Sequence, residues 1–158
     1  MIVIADTSPL NYLVLSGYEN LLPQLFGRIL VPQGVVDELS AAKAPNIVRN
    51  WIAQPPDWIE IRLVSAIDPE IAFLGKGEQE GITLARGLNA DLILIDDAPA
   101  RQEAEKRNLT VTGTLGVLQR AALVNLIDLP EALARLRSTN FFIGPSLVDK
   151  LLKDVRQP

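Results

Sequence analysis

The 158-residue chain contains no cysteine and no histidine. Without cysteine there are no disulfides, no zinc–thiolate sites and no thiol nucleophile. Without histidine, the Ser-His-Asp and Cys-His arrangements fall away, as do histidine-ligated zinc and iron centres. Long apolar runs are also missing: none approaches the roughly 20 residues that span a bilayer. The start lacks the basic segment of a secretory leader, so the chain reads as cytoplasmic, with no membrane association. Positive charge is short too, with 15 Lys and Arg against 19 Asp and Glu, a net −4. That argues against a generic nucleic-acid coat, which needs a basic face. It leaves room for an enzyme that meets phosphate through a metal ion, because a divalent cation reverses the local charge. Any catalysis here rests on carboxylates, hydroxyls and cations.

What is present is a short apolar strand that ends in oxygen ligands. Ile2, Val3 and Ile4 form a β-branched run of the kind found in strands buried on both faces. The run stops at Asp6, Thr7, Ser8 and Pro9. Asp91 to Ile95 is a second such strand, ending at Asp96-Asp97. Weaker strands are expected over Arg28 to Val31, Trp58 to Leu63 (an edge candidate) and Leu109 to Val111. Between them the apolar spacing predicts helices over Pro9–Ser16, Tyr18–Phe26, Pro32–Ala42, Ala44–Ala53, Ser65–Leu74, Glu78–Gly87, Ala98–Arg107 and from Thr114 to Ala122. Gly75-Lys76-Gly77 reads as a flexible joint, and Pro130–Arg137 and Ser146–Val155 as two closing helices. Strands alternating with helices imply an α/β fold with a mostly parallel sheet covered on both faces. One domain over residues 1–158 is expected, with 129–158 as a C-terminal helical extension.

The acids are weak signals singly. Asp6 alone is explained by turn and cap chemistry, since acids commonly follow strands and cap the next helix. Asp96 and Asp97 close their strand in the same manner, and a cation would relieve the repulsion between them. Glu38 has Gly34, Val35, Ala41 and Ala42 three and four residues away, which places it at the border of a buried face, whereas Asp37 points to solvent. A carboxylate among small apolar residues is costly unless paired or metal-bound. Glu78 has Gly81, Ile82 and Ala85 on its side and is also read as inward, with helix N-terminal stabilisation as the competing account. Glu80, beside Thr83 and Leu84, ranks below it. Together these are two strand-end aspartate positions and two inward glutamates. Hard oxygen donors of this kind suit Mg²⁺ or Mn²⁺, and such clusters support phosphodiester hydrolysis.

In this order the residues resemble the PIN domain, and more narrowly its VapC-toxin-like branch. The likeness lies in DTSPL from Asp6, Glu38 in VVDEL, Glu78 in GEQEGITLA, the Asp96-Asp97-Ala98-Pro99-Ala100-Arg101 run, and GTLGVL from Gly113 to Leu118. It covers about Met1 to Asp128. The resemblance implies a three-layer α/β/α fold and a metal-dependent ribonuclease, often the toxin of a type II toxin–antitoxin pair. It carries Asp6, Glu38, Glu78 and Asp97 onto the four acidic catalytic and metal-binding positions, with Asp96 as an alternative for the last. Many relatives have aspartate where this chain has Glu78. Thr7, Ser8, Thr112 and Thr114 would hold water or orient ligands, and Arg101 would contact substrate phosphate. The partners implied are RNA, a small antitoxin protein and a second copy in a homodimer.

Two other classes compete. A phosphoacceptor receiver domain also places aspartates at strand ends with Mg²⁺, but its acidic pair follows the first strand and a lysine follows a late one. Here the pair comes late, and Thr110 to Leu118 has no lysine. A catalytically weak or inactive PIN-like protein that binds nucleic acid or regulates is the closer rival, since low positive charge gives little intrinsic attraction for RNA.

Overall fold

The two buried runs become adjacent central strands. In the computed structural model, which describes residues 1–156, β1 (Val3–Ala5) pairs with β4 (Leu92–Leu94). Outside them lie β2 (Ile29–Pro32), β3 (Ile59–Arg62) and β5 (Val111–Thr112), in the order β3-β2-β1-β4-β5. Every pairing is parallel. The period of two then divides the apolar residues into two cores. Val3, Ala5, Ile29, Val31, Leu92 and Leu94 face one core. Ile4, Leu30, Ile93 and Ile95 face the other.

Helices close both faces, giving three layers. The first core takes α1 (Thr7–Ser16), α2 (Leu21–Phe26), α3 (Gln33–Leu39), α4 (Asn46–Ala53), α7 (Thr114–Leu123), α8 (Leu129–Arg137) and α9 (Pro145–Arg156). The second takes α5 (Lys76–Leu88) and α6 (Ala98–Lys106). The closing helices bury Leu129, Leu133, Leu136 and Leu151 in the first core, so the C-terminal segment shares the core of the body. No helix among the described residues is long and apolar enough to cross a membrane.

Four expectations shift. The helix expected over Tyr18–Phe26 begins only at Leu21. The helix expected over Ser65–Leu74 is only a 3-10 turn at Pro69–Ile71, because Ile71 and Leu74 alone are buried there, and a separation of three is the 3-10 period. Helix α3 ends at Leu39, not Ala42, since Ala41, Ala42 and Lys43 are exposed and bury nothing. The joint at Gly75-Lys76-Gly77 is the start of α5, with Gly77 buried in its first turn. The chain runs outward from β1 to β2 and β3, then returns to place β4 beside β1. The C-terminal ends of β1 and β4 therefore flank the switch point at which open α/β sheets form their crevice.

Candidate functional site

Asp6 leaves β1 at that crevice and is 3% exposed. It occupies the N-cap position of α1 with extended backbone, yet its side chain makes no cap hydrogen bond. Its Oδ1 is buried without any partner. Burial pushes its carboxyl up to about 7, and the charges of Glu78, Glu38 and Asp96 push the same way against the Thr7 backbone N–H. Capping, the simplest account of an acid after a strand, is therefore not what this side chain does.

Glu38 arrives from α3. Its Oε1 accepts from the Thr7 hydroxyl, and its Oε2 accepts from the Gly77 N–H at 3.3 Å. The register of α3 turns Glu38 inward and leaves Asp37 exposed, paired with Lys76 at 3.1 Å. Glu78 arrives from the first turn of α5. It is half-buried, and its Oε1 accepts from the Gly75 N–H at 3.0 Å. Burial raises its carboxyl; the Gly75 bond lowers it, and the charges of Asp97 and Glu38 raise it further. Asp6, Thr7, Ser8, Glu38 and Glu78, with Asn11 and Tyr12, line one open groove of about 420 Å³.

The glycine at 77 is what lets these groups meet. A Cβ there would collide with Glu38 Oε1 and lie 2.9 Å from Thr7 Oγ1 and 3.0 Å from Asp6 Oδ1. Only a residue without Cβ allows the α5 backbone this close to three oxygens.

The doubled aspartate divides its work. Asp96 is half-buried and held from three sides: Oδ2 accepts from the Ser8 and Thr114 hydroxyls, each at 2.7 Å, and Oδ1 from the Thr114 N–H at 2.7 Å. Asp97 is exposed at the N-cap position of α6 and makes no cap bond. A family model described as a PIN domain matches residues 2–157. The chain belongs to the PIN domain family. A PilT N-terminus domain protein from the hyperthermophilic archaeon Sulfolobus solfataricus has a similar fold, with a TM-score of 0.50 at 16% identity over 91% of this chain and 100% of that one. Comparison with curated proteins gives no match.

PIN domains are generally metal-dependent nucleases, so the donor set of this one can be tested for a metal. The orphaned Asp6 Oδ1 lacks a counter-charge, and the groove is lined by hard oxygen donors of the type Mg²⁺ and Mn²⁺ take. Against this, among the described residues no three acids stand close enough together to enclose one ion. Glu78 is tied to the Gly75 N–H and would have to leave that bond to join Asp6 and Glu38 around an ion. The donor chemistry of the groove fits a divalent cation.

The other expected residues lie around this PIN-domain groove. Thr7 and Ser8 hold Glu38 and Asp96, and Thr114 holds Asp96 from the far side. Thr112 and Arg101 line a neighbouring cavity instead, and Arg101 Nη1 donates to the Ile95 carbonyl at 3.1 Å. Glu80, ranked below Glu78 from sequence, is the more buried of the two. Its Oε1 accepts from the Gly34 N–H at 2.9 Å, in space that a Cβ on Gly34 would fill. It closes α3 onto α5 and lies outside the groove. Sequence reasoning missed Asn11, Tyr12 and Gly77. The first two follow from Thr7 and Ser8 by i+4 spacing on α1, a signal open to use.

Proposed function

We propose that this PIN domain is an endoribonuclease that hydrolyses RNA phosphodiester bonds with Mg²⁺ or Mn²⁺ held by Asp6, Glu38, Glu78 and Asp97. The observation that carries this reading is the buried, uncapped Asp6 carboxylate at the switch point, its Oδ1 without a partner, with Glu38 and Glu78 beside it. A bound divalent cation supplies an activated water and neutralises charge on the phosphate. The chain's own part is positioning. β1 fixes Asp6, the Thr7 hydroxyl and the Gly77 N–H orient Glu38, and Ser8 and Thr114 hold Asp96, the alternative to Asp97 as the fourth acid. The toxin role, with a small antitoxin and a homodimer as partners, is supported by the DTSPL and Asp96–Arg101 motifs alone.

The test is cleavage of single-stranded RNA with and without added Mn²⁺. Asp6→Asn and Glu38→Gln are each expected to lower metal-stimulated cleavage by at least about 100-fold, since even residues behind the ligands are worth 10–100-fold. Unchanged cleavage in both variants would end the proposal. The rival reading, a PIN domain with little turnover, is favoured by the bond of Glu78 to Gly75, and wild-type protein inert over a full Mn²⁺ titration would select it.

A further inference from the structure

A second cavity, of about 260 Å³, is linked to the acidic groove by two contacts between their linings. At one, Ser8 lines the groove while Asp96, to which its hydroxyl is bonded, lines the cavity. At the other, Tyr12 of the groove meets Phe141 of the cavity edge to face, with ring centroids 4.8 Å apart. The cavity has an apolar side, formed by Phe141, Leu147 and Leu151 from the C-terminal segment, and a polar side, formed by Asp96 and Arg101.

The polar side brings a donor and an acceptor close together. Both pack against Gly113, where the position a Cβ would take is 2.6 Å from Asp96 Oδ1 and 2.8 Å from Arg101 Nη1. Asp96 Oδ2 already accepts two hydrogen bonds, but Oδ1 accepts only one and keeps a lone pair. Arg101 spends one N–H on the Ile95 carbonyl and forms no ion pair among the described residues, so further donors remain. An apolar wall that includes the Phe141 ring, with a guanidinium beside a carboxylate, is complementary to a nucleobase. Guanine gives this pair the most, because it offers O6 and N7 as paired acceptors to a guanidinium and one N–H donor to the remaining lone pair of Asp96 Oδ1.

We infer that this cavity binds a guanine base of a single-stranded RNA, read by Arg101 and Asp96 and packed against the C-terminal segment, next to the phosphate held at the acidic groove. The position of the base relative to the scissile bond rests on the nuclease reading; the cavity's preference for guanine does not.

The experiment is therefore a binding one. The full chain is titrated with 5′-GMP, 5′-AMP, 5′-CMP and 5′-UMP in turn, followed by calorimetry, with inorganic phosphate as a fifth probe. GMP is expected to bind at least about tenfold more tightly than CMP or UMP, the discrimination one good bidentate contact gives. Leu147→Trp, which fills the apolar side from a partly exposed position, is expected to abolish that binding. Arg101→Gln is expected to reduce GMP to the level of the other nucleotides, and if this variant does not fold, Leu147→Trp decides. Four nucleotides bound alike, a preference for CMP, phosphate competing as well as GMP, or GMP binding untouched by Leu147→Trp would each overturn the inference. Selective GMP binding by a protein that never cleaves RNA would leave the cavity assigned and remove the nuclease reading.

Discussion

Four aspartates sit at N-cap positions, and they divide into two pairs. Asp68 and Asp128 cap, accepting from Glu70 N–H at 2.9 Å and Glu131 N–H at 3.1 Å. Asp6 and Asp97 occupy the same kind of position and cap nothing. The contrast extends to their surroundings. Asp68 belongs to a cluster at the far end of α6, where Arg107 bonds Asp68 at 3.2 Å and Glu103 at 2.7 Å, with Arg86 and Lys106 alongside. There the Glu70 N–H and then Arg107 hold the Asp68 carboxyl below its usual range, and Arg107 and then Lys106 do the same for Glu103. In the groove, Asp6, Glu38 and Glu78 form no ion pair among the described residues, and burial drives Asp6 and Glu78 upward. The same residue type is arranged for stability in one place and against it in the other. Strain of this sort persists where function maintains it.

The largest test of that contrast uses pH. In the folded protein burial pushes the Asp6 carboxyl up to about 7, from an ordinary 3.8. Between those values the folded state holds more protons than the unfolded state, so stability falls as pH rises through this window and levels off above it. The cost of ionising Asp6 by pH 8 is at most ~4 kcal/mol. In metal-free buffer, Asp6→Asn should remove this slope and leave the variant more stable than wild type at pH 8, though little changed at pH 4. Chemical denaturation across pH reads both. A wild-type profile flat from pH 4 to 8 would break the comparison.

Next in size is Gly77→Ala. Its methyl group meets Glu38 and Thr7, and overpacking of this kind costs about 1–3 kcal/mol. Cleavage and Mn²⁺ affinity should fall with it. Gly87→Ala, where a Cβ meets nothing, is the control on the same helix. The smallest effect is expected from Arg107→Ala. The ion pairs of Arg107 with Asp68 and Glu103 are half-buried, so a modest loss of thermal stability at neutral pH is predicted. That loss shrinks as pH falls through the depressed values of Asp68 and Glu103, the reverse of the Asp6 slope. RNA cleavage should not change, and a large loss of cleavage would dissolve the distinction between the clusters.

Much of the fold was legible because buried parallel strands announce themselves. VIA and LIL are apolar without alternation, the first followed by Asp6 and the second by Ile95 and then Asp96-Asp97, so the crevice between β1 and β4 could be anticipated. The inward register of Glu38 was legible in part: Gly34 and Val35 lie on its side of α3, whereas Ala41 and Ala42, read as the same face, are exposed beyond the helix end. Gly77 was not legible, because a glycine between a glycine–lysine pair and a glutamate reads as a hinge. Its role depends on oxygens from β1 and α3 that no local pattern reveals. Glu80 was misjudged on the same ground, since its partner Gly34 lies 46 residues away. The doubled Asp96-Asp97 could not be resolved from spacing either. Only the hydroxyls of Ser8 and Thr114 show which of the two is fastened.

The central claim is that Asp6 is held ready for a divalent cation, and the most direct measurement is the shift in melting temperature on adding Mn²⁺ at pH 8. Wild-type protein should be stabilised in proportion to the logarithm of Mn²⁺ concentration once the site is filled, and Asp6→Asn should show no such rise. Equal shifts in the two proteins, or none in the wild type, would contradict it.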